Sequence, residues 1–342
     1  MGKSNKIRVL VVEDSLLFRA AIAKVLTADE QIEIVAVAAN PSEARDKIMA
    51  TRPDVITCDI EMPIMDGIKF VRWLLPQYFV PIIMVSSISD KVFEALEAGA
   101  VDFVVKPDQK STPGLKKFGQ DLIHKIKAAA NVKAPVPKVE RASTGRITIG
   151  IAQDREKIIA LGASTGGTEA IYSILRVLPP TVPGIVVAQH IPPIFSQMFA
   201  QRLDNQTDLA VKEAETGDYV DPGTVLVAPG NRHMEVKRVG KRYQVKCYPG
   251  EKVNGHCPSV DVLFNSTAAA AGGSTIGILL TGMGYDGARG LLNIRCKGGR
   301  TIGQDQESSV VYGMPKVAQD IGAVEIQTSL EKIPHVLINL LK

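Results

Sequence analysis

The chain has no apolar stretch approaching the ~20 residues that a membrane-spanning helix requires, so direct insertion into a bilayer is not expected. Its first apolar run, Val9–Val12, follows basic residues. Glu13 and Asp14 stop it too early for a secretory signal. Only four cysteines occur in 342 residues, Cys58, Cys247, Cys257 and Cys296, without a C-x-x-C pair or a His-rich ligand spacing. That usage predicts reduced thiols in a cytoplasmic protein and offers no transition-metal site. Charge of one sign is also scarce. The 40 Lys and Arg face 36 Asp and Glu, a net +4, too small an excess for a nucleic-acid footprint. Gly2-Lys3-Ser4 resembles the tail of a P-loop but lacks the upstream glycine and strand, so nucleotide binding there is excluded.

What the chain does have is an ordinary globular composition, 45% hydrophobic and 22% charged, at a length that suggests two domains. From Ala128 to Arg146 it runs AAANVKAPVPKVERASTGR, with two prolines, basic residues and little apolar periodicity, which suits an exposed linker. The expected division is a first domain over 1–127, a linker over 128–150 and a second domain over 151–342. Before the linker, five strands (Arg8–Val12, Glu33–Ala38, Val55–Cys58, Pro81–Ser86, Asp102–Val105) alternate with five helices. That alternation predicts a doubly wound, flavodoxin-like parallel sheet. After the linker, Ile158–Leu161, Gly184–Ala188, Ile276–Leu280 and Thr301–Gly303 predict a Rossmann-like α/β parallel sheet. Val225–Ala228, Met234–Arg238 and Tyr243–Cys247 are expected to form a β-ribbon beside it.

The second half carries a serine on a tight turn. Ile158–Leu161 runs straight into Gly162-x-Ser164-x-Gly166, and a helix-compatible run follows from Thr168. This is a nucleophile-elbow pattern, in which the following helix brings free N–H groups towards the reacting centre. A serine hydroxyl is barely nucleophilic at neutral pH and needs a base with a group to orient it. His190 ends a strand-like run at Gly184–Gln189, and Asp286 follows the run from Thr275. In an open parallel sheet the carboxyl ends of the strands share one edge, so the three can meet. The order Ser, His, Asp disfavours the α/β-hydrolases. Thr165, at the helix start, and Met283, in the Thr281–Gly284 turn, are expected to supply oxyanion N–H donors. His124, His233, His256 and His335 lie off this triad, with Arg232 and His233 as candidate cleft residues.

The first half has its own constellation at strand ends: Glu13 and Asp14 after the first strand, Asp59 after the third, Ser86 after the fourth, Lys106 after the fifth. Clustered carboxylates repel unless neutralised, and an oxygen-seeking divalent cation such as Mg²⁺ suits them together with phosphoryl chemistry. Asp59 is the candidate phosphoryl acceptor. Ser86 can donate a hydrogen bond and Lys106 a charge to phosphoryl oxygens.

The segments Val-Val-Glu-Asp-Ser (11–15), Cys-Asp-Ile-Glu-Met-Pro-Ile-Met-Asp-Gly (58–67), Val-Ser-Ser (85–87) and Val-Lys-Pro (105–107) resemble the receiver domain of two-component response regulators. That resemblance implies phosphorylation of Asp59 and Mg²⁺ held by Glu13, Asp14, Asp59 and the backbone carbonyl of Glu61. It also implies a switch made of Ser86, Phe103 and Lys106, in which Phe103 turns inward. The second half resembles the CheB-type chemotaxis protein-glutamate methylesterases in five stretches. These are Gly-Ala-Ser-Thr-Gly-Gly-Thr-Glu-Ala (162–170), Gln-His-Ile-Pro (189–192), Ala-Pro-Gly-Asn-Arg-His-Met (228–234), Pro-Ser-Val-Asp-Val-Leu-Phe (258–264) and Leu-Thr-Gly-Met-Gly-Tyr-Asp-Gly-Ala (280–288). By that resemblance Ser164, His190 and Asp286 are the triad of a cofactor-free serine carboxylesterase, activated by phosphorylation. It would demethylate glutamate γ-methyl esters and deamidate glutamines on methyl-accepting chemotaxis receptors. Its phosphodonor would be a chemotaxis histidine kinase.

Two alternatives are weighed against this. A dinucleotide-binding second half would need G-x-G-x-x-G spacing and an acidic residue ending a second strand, and neither is present. A transcriptional output would need a basic recognition helix, where residues 147–342 show glycine-rich α/β alternation.

Overall fold

Short, β-branched runs bounded by turn residues form the strands. A computed structural model of the protein describes residues 6–63, 65–87, 91–107, 112–132 and 156–342, the side chains of residues 112 and 113 excepted. The chain divides into two compact units, Met1–Pro137 and Lys138–Lys342. Most of the expected linker, residues 133–150, lies outside the described residues.

The first unit alternates β1 (Ile7–Val12), α1 (Leu16–Leu26), β2 (Ile32–Ala38), α2 (Pro41–Thr51), β3 (Val55–Asp59), α3 (Gly67–Leu74), β4 (Ile82–Ser86), α4 (Lys91–Glu97), β5 (Asp102–Val105) and α5 (Thr112–Ala129). Polar side chains start three of these helices. Ser15, Asn40 and Asp66 accept hydrogen bonds from the N–H groups of Phe18, Glu43 and Lys69. The sheet order is β2-β1-β3-β4-β5, all parallel, so the order reverses between β1 and β3. The crevice at that switch point, beyond the carboxyl ends of the strands, is where such sheets bind ligands.

In the second unit the strands are β6 (Ile158–Ala163), β7 (Ile185–Gln189), β8 (Ala210–Glu213), β9 (Thr224–Val227), β10 (His233–Val239), β11 (Arg242–Tyr248), β12 (Thr275–Leu279), β13 (Arg300–Gln304) and β14 (Ile326–Thr328). Helices α6 (Gly167–Leu175), α7 (Phe195–Gln206), α8 (Val260–Ala271) and α9 (Ala288–Cys296) are the ones nearest the site in sequence. Seven strands make one sheet in the order β14-β13-β12-β6-β7-β9-β8, and every pairing is parallel. Strands β6, β7 and β12 are buried along their whole length, as expected of a parallel sheet covered on both faces.

One expectation fails here. Residues 225–227 do not belong to the ribbon, because β9 joins the seven-stranded sheet, parallel to both β7 and β8. Among the described residues, β10 and β11 form the antiparallel ribbon. A short apolar strand carries no mark of its partner, and burial decided the pairing: Val225, Leu226 and Val227 are all inside. The ribbon buries one alternating face, with Met234, Val236, Tyr243 and Val245 in the same core as Val260 and Phe264 of α8. Each such side chain contributes about 1.5–3 kcal/mol of burial. The ribbon thereby fixes α8, whose first turn matters below.

Candidate active site and phosphorylation site

Ser164 follows β6 directly and His190 follows β7 directly. These strands are neighbours, and their last paired residues are Ala163 and Gln189. Ser164 and His190 thus occupy the next step of one register, on strands spaced about 4.8 Å apart. Gly166, after the serine, has φ +77°, the left-handed conformation that lets the chain turn at once into α6. Asp286 lies beyond β12, on the other side of β6, so the triad spans three adjacent strand ends. The chain runs from β6 towards β7 on one side and returns as β12 on the other, which makes this the switch point of the sheet.

His190 Nε2–H donates to Asp286 Oδ2 at 2.9 Å. His190 Nδ1 is buried and has no hydrogen-bond partner among the described residues. Ser164 itself is half-buried and reachable. The Asp286 carboxylate is held unusually well. Oδ2 also accepts from Val260 N–H (2.7 Å). Oδ1 accepts from Ser259 Oγ (2.8 Å), Asn254 Nδ2 (2.8 Å) and Asp261 N–H (3.2 Å). Two of these donors are first-turn amides of α8, so the carboxylate sits at the positive end of that helix. Burial pushes its pKa up. The His190 bond, the charge of His190 and the Asn254 and Val260 bonds outweigh burial and hold the carboxyl well below the ordinary range.

Several supporting residues escaped the sequence reading. Gln189 is buried, and its Nε2 donates to the carbonyls of both Ser164 (2.9 Å) and His190 (3.1 Å), tying the Ser164 turn to the His190 strand end. Thr281 O accepts the Ser164 N–H (3.0 Å), and Thr281 Oγ1 donates to Thr165 O (3.0 Å). The Ser164 N–H is therefore engaged within the fold. Asn254 Nδ2 bridges Asp286 and Asp261. The pair Asn254-Gly255 and the sequence Ser259-Val260-Asp261 are turn and helix-start signals that could have drawn attention. His256, set apart as off the triad, in fact stacks on His190 with ring centroids 3.6 Å apart. His233 is not a cleft residue. It is 2% exposed, and its Nε2 pairs with Glu251 O while Nδ1 accepts from Ser259 N–H. Arg232 donates to Cys247 O.

In the first unit, Glu13, Asp14 and Asp59 bring carboxylate oxygens within 4.8 Å of one another. Lys106 Nζ reaches Asp59 Oδ2 at 2.6 Å and Glu13 Oε2 at 3.0 Å. One cation shared between two buried acids leaves negative charge in excess. Burial pushes both Glu13 and Asp59 up despite Lys106. Burial pulls Lys106 down, and the two carboxylates more than reverse it. Glu13 Oε2 is buried, with the Lys106 ammonium at 3.0 Å as its ion-pair partner. Three clustered carboxylates against one ammonium leave uncompensated charge at one sheet edge, which fits a hard divalent cation. Glu61 donates its N–H to Asp59 Oδ1 (3.2 Å), and its carboxylate is 3.7 Å from Lys91 Nζ. Ser86 is buried, donating to Ser87 O (2.8 Å). Phe103 is already buried, with Lys125 Nζ 5.0 Å from its ring centroid, so this conformation contains no outward ring waiting to turn in.

Comparison with known proteins places both halves. A chain with a five-stranded receiver sheet ahead of a parallel-sheet unit bearing Ser, His and Asp at adjacent strand ends is a response regulator joined to a hydrolase. Residues 9–112 match the response regulator receiver domain, and residues 159–337 match the CheB methylesterase family. The chain belongs to that family. It is 50% identical over 339 residues to a protein-glutamate methylesterase/protein-glutamine glutaminase of Syntrophomonas wolfei, covering 98% of each. It is 47% identical over 346 residues to a protein of the same name from Syntrophotalea carbinolica, again covering 98% of each. The second unit resembles the crystal structure of the Thermotoga maritima CheB methylesterase catalytic domain. That match has 39% identity and a TM-score of 0.53, covering 54% of this chain and 98% of that one. No helix among the described residues is long and apolar enough to cross a membrane. The four cysteines are free.

Proposed function

We propose that the chain is a phosphorylation-activated serine carboxylesterase that hydrolyses glutamate γ-methyl esters on chemotaxis receptors and deamidates specific receptor glutamines. Its working order is a receiver over 1–127, a linker over 128–150 and a catalytic domain over 151–342, acting in the cytoplasm. The observation that carries this reading is the Asp286–His190 hydrogen bond, at 2.9 Å, with Ser164 at the matching register position on the neighbouring strand.

The residues divide the chemistry among them. Ser164 Oγ forms a bond to the ester carbonyl carbon while its proton passes to His190 Nδ1. Asp286 stabilises the imidazolium that results. The Thr165 and Met283 N–H groups receive the negative charge on the carbonyl oxygen. Collapse breaks the bond to methoxide, and His190 returns the proton so that methanol leaves. Methoxide is a poor leaving group, which makes the general-acid step essential. Water then attacks the acyl-serine with His190 again as base, releasing glutamate and restoring Ser164. A glutamine amide follows the same path and loses ammonia.

In the receiver, Asp59 accepts a phosphoryl group from a chemotaxis histidine kinase. Glu13, Asp14, Asp59 and the Glu61 carbonyl would hold Mg²⁺, which neutralises phosphoryl charge when bound. Lys106 and Ser86 then pair with phosphoryl oxygens, and Phe103 completes the switch by its packing. The test is methanol release from methylated receptor membranes, with and without a small phosphodonor. Release that depends on Ser164 and rises with the phosphodonor is expected. No release from a folded, phosphorylated chain would overturn the assignment.

A further inference from the structure

Residues 253–256 make a two-residue turn. Val253 and His256 exchange backbone hydrogen bonds of 3.0 Å in both directions. Asn254 has φ +53° and Gly255 φ +85°, so both central residues are left-handed, the arrangement that favours Asn-Gly. The turn is placed so that two of its side chains reach two different members of the proposed triad. Asn254 Nδ2 lies 2.8 Å from Asp286 Oδ1 and 2.7 Å from Asp261 Oδ2. The His256 ring lies 3.6 Å from that of His190, with only 7° between the planes.

We propose that His256 is a positioning residue for the reaction, a flat shelf that fixes the plane of the His190 imidazole while Asn254, on the same turn, fixes Asp286. The need for such a shelf follows from the base itself. His190 is tied at one nitrogen only, by Asp286, and a ring held at one point can still rock about that bond. Rocking would change where Nδ1 stands relative to the Ser164 turn. A parallel ring in contact removes that freedom without occupying Nδ1. It also leaves a π face against the imidazolium that forms during proton transfer, a contact that strengthens when the ring becomes cationic. Joining the shelf and the carboxylate clamp in one four-residue turn makes the base and its orienting acid move together. Displacements of about 1 Å at such a base can cost on the order of 100-fold in rate.

The inference rests on reading His190 as the base, so Ser164→Ala is assayed alongside. Methanol release by the full-length, phosphodonor-treated chain is measured for wild type and for His256→Phe, His256→Leu and His256→Ala. Phenylalanine keeps the flat ring, leucine keeps volume without it, and alanine removes both. The Leu and Ala variants are expected to lose about 10-fold or more in kcat at nearly unchanged KM, with Phe recovering most of the loss. A Leu variant as active as the Phe variant, or a Phe variant as impaired as Ala, would overturn the shelf. If Ser164→Ala retained activity, the base itself would be misassigned, whatever the His256 series gave.

Discussion

Asp286 engages His190 through Nε2, at 2.9 Å, and so leaves Nδ1 as the nitrogen available to Ser164. The usual serine-protease arrangement uses the opposite pair of nitrogens. The proposed chemistry is the same, because an imidazole relays a proton equally well in either sense. What differs is how the ring is approached: here the carboxylate comes from beyond β12 and the serine from the neighbouring strand end. The carboxylate is held by four donors besides His190, and the following expectations test what that support does.

Ser164→Ala removes the proposed nucleophile. Methanol release should fall by more than about 1,000-fold, while Asp59 is still phosphorylated by a small phosphodonor, because the two sites lie in different units. Residual activity above that level would argue against an acyl-serine.

Asp286→Asn keeps the shape of the side chain and removes its charge. Loss of an orienting carboxylate in a serine triad costs about 10⁴-fold in kcat, and a similar loss is expected here. The variant also tests linkage. A carboxyl whose folded pKa is depressed adds stability that is present above its unfolded value, near ~3.9, and fades as pH falls through the folded value. Wild type should therefore exceed Asp286→Asn in urea midpoint at pH 7, by a margin that shrinks in acid below about pH 4. A margin independent of pH would mean the carboxylate is not held as an anion.

Ser259→Ala removes both the cap of α8 and a donor to Asp286. A lost cap costs about 1 kcal/mol, readable as a lower unfolding midpoint. The activity loss should exceed what the stability change explains. Equal activity in a folded variant would show that the remaining donors suffice.

Asp59 and Glu13 carry raised folded pKa values from burial, so the sign is opposite to that of Asp286. An acid of this kind lowers stability as pH rises from its unfolded to its folded value, and the loss persists at neutral pH. Asp59→Asn should raise the thermal midpoint of the receiver transition in chelator. Mg²⁺ should stabilise wild type and do so less in the variant. A destabilised Asp59→Asn receiver would mean the Lys106 pair outweighs burial.

Chelation should leave the basal esterase activity of the full chain unchanged and abolish its activation by a phosphodonor, since among the described residues the acidic cluster lies in the receiver. A fall in basal activity on chelation would require a metal role in the catalytic half.

By itself, the sequence determined the two-unit α/β organisation and which residues stand at which strand ends. Buried parallel strands read as continuous apolar runs, and the polar residue that ends each run is the one that stands at the sheet edge. Ser164, His190, Glu13, Asp14, Asp59 and Lys106 were legible for that reason, and Asp286 from the turn after its strand. Partners across space were decided only by the tertiary structure. Residues 225–227 pair in the large sheet because burial chose among strands that look alike locally. Asn254, His256 and Ser259 reach the triad because the β10–β11 ribbon fixes α8 and the turn before it against β12. The nitrogen that His190 gives to Asp286 followed from the same packing. Long-range contacts of this kind depend on the relative placement of whole elements, which local periodicity and spacing do not encode.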